Sequence, residues 1–231
     1  MTNVVEMKNL TKKYISKKAL DNVNYNIPKG KIIGLLGPNG SGKTTMIKIL
    51  MGILTASKGE VYIDGQKPGT KTKSWVSYLP DRNYLYKWMK VKDAVKFFDD
   101  FYEDFDVDKA KELLEFMNLE ENIKVTKLSK GMIERLNLTL VLSRNAKLYI
   151  LDEPIAGVDP VAREKILDAI INNFNKDSSM LITTHLVQDL ERIFDEVAYL
   201  KNGSIVLEGS AEKLRNEKNM SIDEIFREVF K

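Results

Sequence analysis

The segment GPNGSGKTT, Gly37 to Thr45, sets Gly37, Gly40 and Gly42 among Pro38, Asn39 and Ser41, then supplies one ammonium, Lys43, and two hydroxyls, Thr44 and Thr45. So little side chain ahead of a lone lysine suits a loop whose backbone meets the ligand. Upstream, KIIGLL is a short apolar run bounded by glycine, which predicts a buried strand. Downstream, Met46, Ile47, Leu50 and Met51 recur at helical spacing. The loop therefore joins a strand to a helix N-terminus. Unpaired N–H groups and the helix dipole favour an anion there. Glycine permits positive φ and lets a phosphate approach without meeting a Cβ. In this setting the pattern Gly-x4-Gly-Lys-Thr specifies phosphate, with Lys43 on the β- and γ-phosphates and the Thr44 hydroxyl on Mg²⁺. Lys43 is expected in a solvent-open loop.

Holding a phosphoanhydride is not hydrolysing it. Hydrolysis needs a metal anchor and an oriented water. LYILDE offers both: four apolar residues run into Asp152 and Glu153. Those carboxylates fall at a strand's C-terminal end, the edge of a parallel sheet where ligands bind. Asp152 is expected to hold Mg²⁺ together with Thr44, and Glu153 to orient or deprotonate the attacking water.

The elements that must carry these residues follow from periodicity. VVEMKNL, ALDNVNYNI, KIIGLL, GEVYIDG and WVSYLP read as strands separated by Gly, Asn and Pro breaks. From about residue 82 to 145 the pattern turns helical. Val91, Ala94, Val95, Phe98 and Phe101 share one predicted face, and Ala110, Leu113, Leu114 and Met117 another, with Asp106 or Asp108 as its cap. This region is expected to be a small helical subdomain inserted in a single domain spanning 1–231. GMIERLNLTLVLSRN is a further helix. The rest alternates: strand LYILDE, helix VAREKILDAIINNF, strand SMLITTH, helix LVQDLERIF, then a hairpin turning at Asn202-Gly203. Alternation predicts an α/β fold, a mostly parallel sheet covered on both faces.

Composition narrows the class. Of 231 residues, 43% are hydrophobic and 30% charged, the balance of a globular protein, and no apolar stretch approaches the roughly 20 residues that span a bilayer. The N-terminus lacks the basic-then-apolar pattern of a signal peptide. Without cysteine there are neither disulfides nor thiolate metal sites, which fits a cytosolic protein. One histidine, His185, excludes zinc held by several imidazoles. The net charge of +3 is spread among mixed charges, so no basic stripe argues for nucleic acid.

Taken in order, these motifs resemble the ATP-binding subunits of ABC transporters over nearly the whole chain. GPNGSGKT resembles the Walker A motif and LYILDE the Walker B motif. LSKGM, Leu128 to Met132, stands at the signature sequence, AGVDP with Asp159 is similar to the D-loop, and ITTH ends in the switch histidine, His185. Tyr14 lies where the family stacks an aromatic ring on adenine. The resemblance implies a P-loop NTPase fold of ABC type: a mostly parallel core with an antiparallel β subdomain and a small helical subdomain. It also implies that two subunits, identical or sister chains, pair head to tail around two ATP molecules. Ser129 and the Gly131 backbone would then meet the γ-phosphate held by the other subunit, and His185 would sense its loss.

Two departures stand out. Lys130 and Met132 replace the Gly and Gln of many members, a variant found among exporters of antimicrobial peptides. Asp81, after YLP, stands where the family usually has Gln, or Glu in many exporter-type members, whose side-chain oxygen joins the Mg²⁺ shell and links the site to the membrane subunit. Together they resemble the bacitracin-resistance and acetoin-utilisation type of exporter ATPase. The expected activity is ATP hydrolysis on the cytoplasmic face of the membrane, powering a separate permease that exports a peptide, toxin or lipid-like compound. A soluble ABC ATPase acting on ribosomes or DNA is the alternative. Its relatives carry two ATP-binding halves or long coiled coils, and this chain has neither.

Overall fold

The structure, a computed structural model, describes residues 2–15 and 17–231. Two sheets organise it. β1 (Asn3–Lys13), β2 (Lys18–Pro28) and β4 (Lys58–Ile63) form a three-stranded antiparallel sheet in the order β2-β1-β4. The second sheet has six strands: β3 (Ile32–Leu36), β5 (Val76–Leu79), β6 (Leu148–Asp152), β7 (Ser179–Thr184), β8 (Glu196–Lys201) and β9 (Ser204–Ser210). Their order is β5-β6-β7-β3-β8-β9. Every pairing in it is parallel except β8–β9, the hairpin that turns at Asn202-Gly203. The α/β expectation and the antiparallel β subdomain are both present.

The six-stranded sheet separates two cores, and strand alternation decides which residue joins which. Ile33, Leu35, Leu148, Ile150 and Leu181 face the antiparallel sheet and helix α1 (Lys43–Leu50). Ile32, Leu36, Tyr149, Leu151, Met180 and Ile182 face the helical layer. Burial on both faces explains why KIIGLL and LYILD carry no polar alternation.

After β4 comes the short helix α2 (Thr70–Lys73). Between β5 and β6 lie α3 (Val91–Phe101), α4 (Val107–Phe116) and α5 (Lys130–Leu142). Asp106 caps α4 by accepting from the Lys109 N–H at 2.9 Å, as its sequence allows. On α3, Val91, Ala94, Val95 and Phe98 are buried, but Phe101 is 69% exposed, contrary to the periodicity. It ends the helix at the margin of the apolar stripe and packs on Phe97, ring centroids 4.5 Å apart. α6 (Pro160–Asn173) covers the same core. LVQDLERIF is not one helix: α7 (Val187–Leu190) gives way to a 3₁₀ turn at Glu191–Ile193. Two helices with no counterpart in the sequence reading, α8 (Ala211–Lys218) and α9 (Ile222–Phe230), close the chain. Ile222 and Ile225 are buried with Tyr199.

One residue fastens the helical segment to β5. Arg144, 3% exposed, donates from Nε and Nη2 to the two Asp104 carboxylate oxygens at 2.9 and 3.1 Å. It also donates to the carbonyls of Val76 (2.8 Å) and Ser74 (3.0 Å), with its guanidinium 3.9 Å from the Tyr102 ring centroid. No other side chain offers a planar fork and a stacking face together. Arg144→Met should destabilise the chain by about 3–5 kcal/mol in urea unfolding, and Arg144→Lys should recover less than half of that. Full recovery by lysine would show that charge alone matters.

Candidate functional site

The loop from Gly37 to Lys43 is shaped by its neighbours as well as by its own composition. Gly42, at φ 118°, caps α1, and a Cβ there would lie 2.5 Å from the Ala19 carbonyl oxygen. The loop is also tied by Gly203 N–H to the Ser41 carbonyl at 2.9 Å, and Asp21 N–H ties β2 to the Gly203 carbonyl at 2.9 Å. Two hydrogen bonds thus tie the β1–β2 hairpin, the phosphate-type loop and the β8–β9 turn together. Gly40, at φ 80°, is different: among the described residues only Lys17 Nζ comes within 4.0 Å of where its Cβ would be. Its missing side chain opens a pocket.

That pocket holds about 310 Å³. It is lined by Tyr14, Lys17 and Ala19 of the first hairpin, residues 39–45 of the loop, Asp81 and Glu153. Tyr14 is half exposed, at 48%, and its backbone exchanges two hydrogen bonds with Lys17 across the hairpin end. It is not packed into the core.

Parallel pairing brings the acidic residues to the same edge. Leu36 is in register with Thr184, and Asp152 with Thr183. The turns that follow β3, β5, β6 and β7 thus deliver the loop, Asp81, Asp152 with Glu153, and His185 side by side. Asp152 is 1% exposed. Its Oδ1 accepts from the Thr183 hydroxyl, and its Oδ2 from the Thr44 hydroxyl at 3.4 Å. Burial pushes its pKa up, opposed by the Thr183 hydrogen bond, and the charges of Asp81 and Glu153 push it further. No role for Thr183 follows from the sequence, where its only signal is a polar pair closing an apolar strand.

Glu153 stands just past β6 at φ 54°, a left-handed conformation that a non-glycine residue adopts at some cost. The turn aims its carboxylate between two partners. Oε1 lies 3.5 Å from Lys43 Nζ, and Oε2 lies 2.9 Å from His185 Nδ1 and accepts from the His185 backbone N–H at 3.3 Å.

Lys43 corrects an expectation. It is 6% exposed, not solvent-open, and Nζ donates to the Gly37 carbonyl at 2.6 Å and the Pro38 carbonyl at 3.4 Å. The loop folds over its own lysine, whose ammonium meets the Gly37 carbonyl and shares the Pro38 carbonyl with Ser41 N–H.

Ser129, Gly131 and Asp159 do not line this pocket. Ser129 caps α5 by accepting from Met132 N–H at 3.2 Å, and Asp159 caps α6 by accepting from Ala162 N–H at 3.0 Å. They are neighbours: a methyl group on Gly131 would sit 3.4 Å from Asp159 Oδ2. The candidate residues thus form two groups on one chain.

The pocket suits a polyphosphate. Open backbone at Gly40 and a buried, unpartnered Ser41 hydroxyl await an acceptor-rich ligand, and Lys43 can exchange loop carbonyls for phosphate oxygens. A divalent cation also fits. Asp152 lies beside the Thr44 hydroxyl, and it is ionised only at a cost that a bound cation would offset.

Comparison with known proteins decides the family. The family described as ABC transporter matches residues 20–156. The chain belongs to the ABC transporter family. It is 34% identical to the ABC transporter ATP-binding protein YtrB of Bacillus subtilis (strain 168), over 93% of this chain and 74% of that protein. It is 29% identical to the lantibiotic transport ATP-binding protein SrtF of Streptococcus pyogenes, over 97% and 99%. A solved dimer of the ATP-binding cassette MJ0796, in a post-hydrolysis state with ADP and Pi, superposes with TM-score 0.79 at 27% identity, over 89% of this chain and 98% of that one. This ABC ATPase binds ATP, and among its described residues no helix is long and apolar enough to cross a membrane.

Because Lys43 is buried, Lys43→Ala in this ABC ATPase should do two things. It should weaken ATP and ADP binding by at least about tenfold, and lower unliganded stability by about 1–3 kcal/mol, since Glu153 and the Gly37 carbonyl lose their partner. Titration calorimetry with denaturant unfolding separates the two. Unchanged nucleotide affinity in a folded variant would remove Lys43 from the phosphate site.

Proposed function

We propose that this ATPase powers a separate integral membrane permease from the cytoplasmic face of the membrane, exporting a peptide, toxin or lipid-like compound. The observation that carries the catalytic reading is Glu153, held between Lys43 and His185 at the mouth of the phosphate loop. In this reading Tyr14 stacks on adenine and residues Gly37, Asn39, Gly40, Ser41, Gly42, Lys43, Thr44 and Thr45 hold the phosphates. Thr44, Asp152 and Asp81 would hold Mg²⁺, which would supply positive charge beside the phosphates. Glu153 takes a proton from, or orients, the attacking water, and His185 Nδ1 fixes that carboxylate's direction. When the γ-phosphate leaves, the Lys43–Glu153–His185 chain must rearrange, which lets the histidine report the event.

Ser129, Gly131 and Asp159 serve the same reaction in trans. Their distance from their own pocket supports a head-to-tail pair, with a second copy or a sister subunit, in which each chain's α5 N-terminus faces the other's phosphates. The MJ0796 cassette is dimeric, in keeping with this. Export is supported by LSKGM, by Asp81 and by the similarity to a lantibiotic transport protein, the bacitracin-resistance and acetoin-utilisation type being the nearest pattern.

We assign permease docking to the helical region, residues 82–145, read as a subdomain. Tyr86 (56% exposed) stacks on Trp88 (68%), ring centroids 6.0 Å apart. Phe97 meets Tyr86 edge-on at 6.3 Å, and Phe101 extends the row. An exposed aromatic row on a folded surface is the usual anchor of a partner helix.

Glu153→Gln should cut ATP turnover by about 10²–10⁴-fold while ATP still binds, and should trap an ATP-bound dimer in gel filtration. Wild-type turnover in that variant would exclude the role. Trp88→Ala should weaken copurification with the permease by about 2 kcal/mol without lowering thermal stability or ATP binding. If stability falls and binding persists, Trp88 belongs to the core of the subdomain instead.

A further inference from the structure

A second cleft, of about 320 Å³, opens between the antiparallel sheet and the β8–β9 hairpin, sharing no residue with the nucleotide pocket. Met7, Tyr25 and Lys8 form one side, and Glu196 and Glu208 the other. Ala198 pairs with Glu208 and Glu196 with Ser210. The two glutamates therefore stand on one face as diagonal neighbours, roughly 7–8 Å apart. Lys8, the lysine lining the cleft, is engaged by Glu6 at 3.5 Å, so among the described residues neither carboxylate has an ion-pair partner. Burial and the charge of Glu196 both push the Glu208 pKa up.

The independent observation is Tyr25. It is 6% exposed, and its hydroxyl is buried without a hydrogen-bond partner. Tyr25 lines the same cleft as Glu196 and Glu208, and burial, with the charges of Glu208 and Glu196, pushes its pKa well up. A buried hydroxyl in that position carries its full desolvation penalty until something supplies a donor or acceptor.

We propose that this cleft binds a short aliphatic diamine. Each ammonium meets one carboxylate, the Tyr25 hydroxyl accepts from the inner one, and the carbon chain lies along Met7 and the Tyr25 ring. A bare metal ion suits it less. Calcium takes about six to eight oxygen ligands, and no group of three acidic or histidine side chains among the described residues is placed to ligate an ion. A 320 Å³ volume would also be left largely unfilled.

The probe is cadaverine, titrated into the full chain at constant ionic strength, with pentylamine and CaCl₂ as comparison arms. Saturable one-to-one binding is expected, with pentylamine about tenfold weaker for want of the second ammonium. Glu208→Gln and Glu196→Gln should each weaken cadaverine about tenfold, and Tyr25→Phe about threefold, while basal ATP hydrolysis is unchanged. Tyr25→Phe should not lower the unliganded thermal midpoint, since the hydroxyl it removes has no partner. The proposal is overturned by the absence of saturable binding, by equal affinity in wild type and both glutamine variants, or by CaCl₂ displacing cadaverine at equal concentration.

Discussion

Everything at the nucleotide site depends on the parallel pairing of β6, β7 and β3. Register sets Leu36 beside Thr184 and Asp152 beside Thr183, so four chain reversals after β3, β5, β6 and β7 emerge at one edge. The hydrogen-bond ladder carries no chemistry itself, but a slip of one residue on β6 would turn Asp152 to the opposite face and bury Leu151 in its place. Burial of these strands on both faces makes such a slip costly, because two cores would be disrupted together.

Around that edge the electrostatics are arranged for a ligand that brings both signs. Lys43 is satisfied by loop carbonyls and Glu153, and Asp152 is held by two threonine hydroxyls in surroundings that disfavour its charge. A polyphosphate with a divalent cation relieves both conditions: the anion takes the lysine, and the cation takes the carboxylate. The unliganded fold thus stores unfavourable electrostatics at the place where binding is useful. Since the Asp152 pKa is raised, its contribution to unliganded stability falls as pH rises from the unfolded carboxylate value through the folded one.

The helical segment is attached by polar as well as apolar contacts. α3 to α5 share a core with Tyr149 and Leu151, yet the junction at β5 rests on the Arg144 fork, which ties Asp104, Ser74 and Val76 into one unit. The aromatic row from Trp88 to Phe101 lies on the outer side of this unit.

The sequence by itself determined the strands and helices of the nucleotide core. Apolar runs buried on both faces, glycines at the loop and the capping residue Asp106 are local signals with local causes. It also determined the identity of the residues that meet phosphate and metal in the proposed reading, because their types and spacing admit few other uses. Tertiary structure decided what no local signal carries. Phe101 leaves its predicted face because the core ends before it, and LVQDLERIF breaks where α9 packs against α7. Lys43 is buried because distant Glu153 reaches it, 110 positions along the chain. Thr183, Arg144 and the placement of Glu196 and Glu208 in one cleft with Tyr25 acquire meaning only from neighbours that are remote in sequence. A side chain's partners are set by the register of strands, and register is a property of the whole sheet.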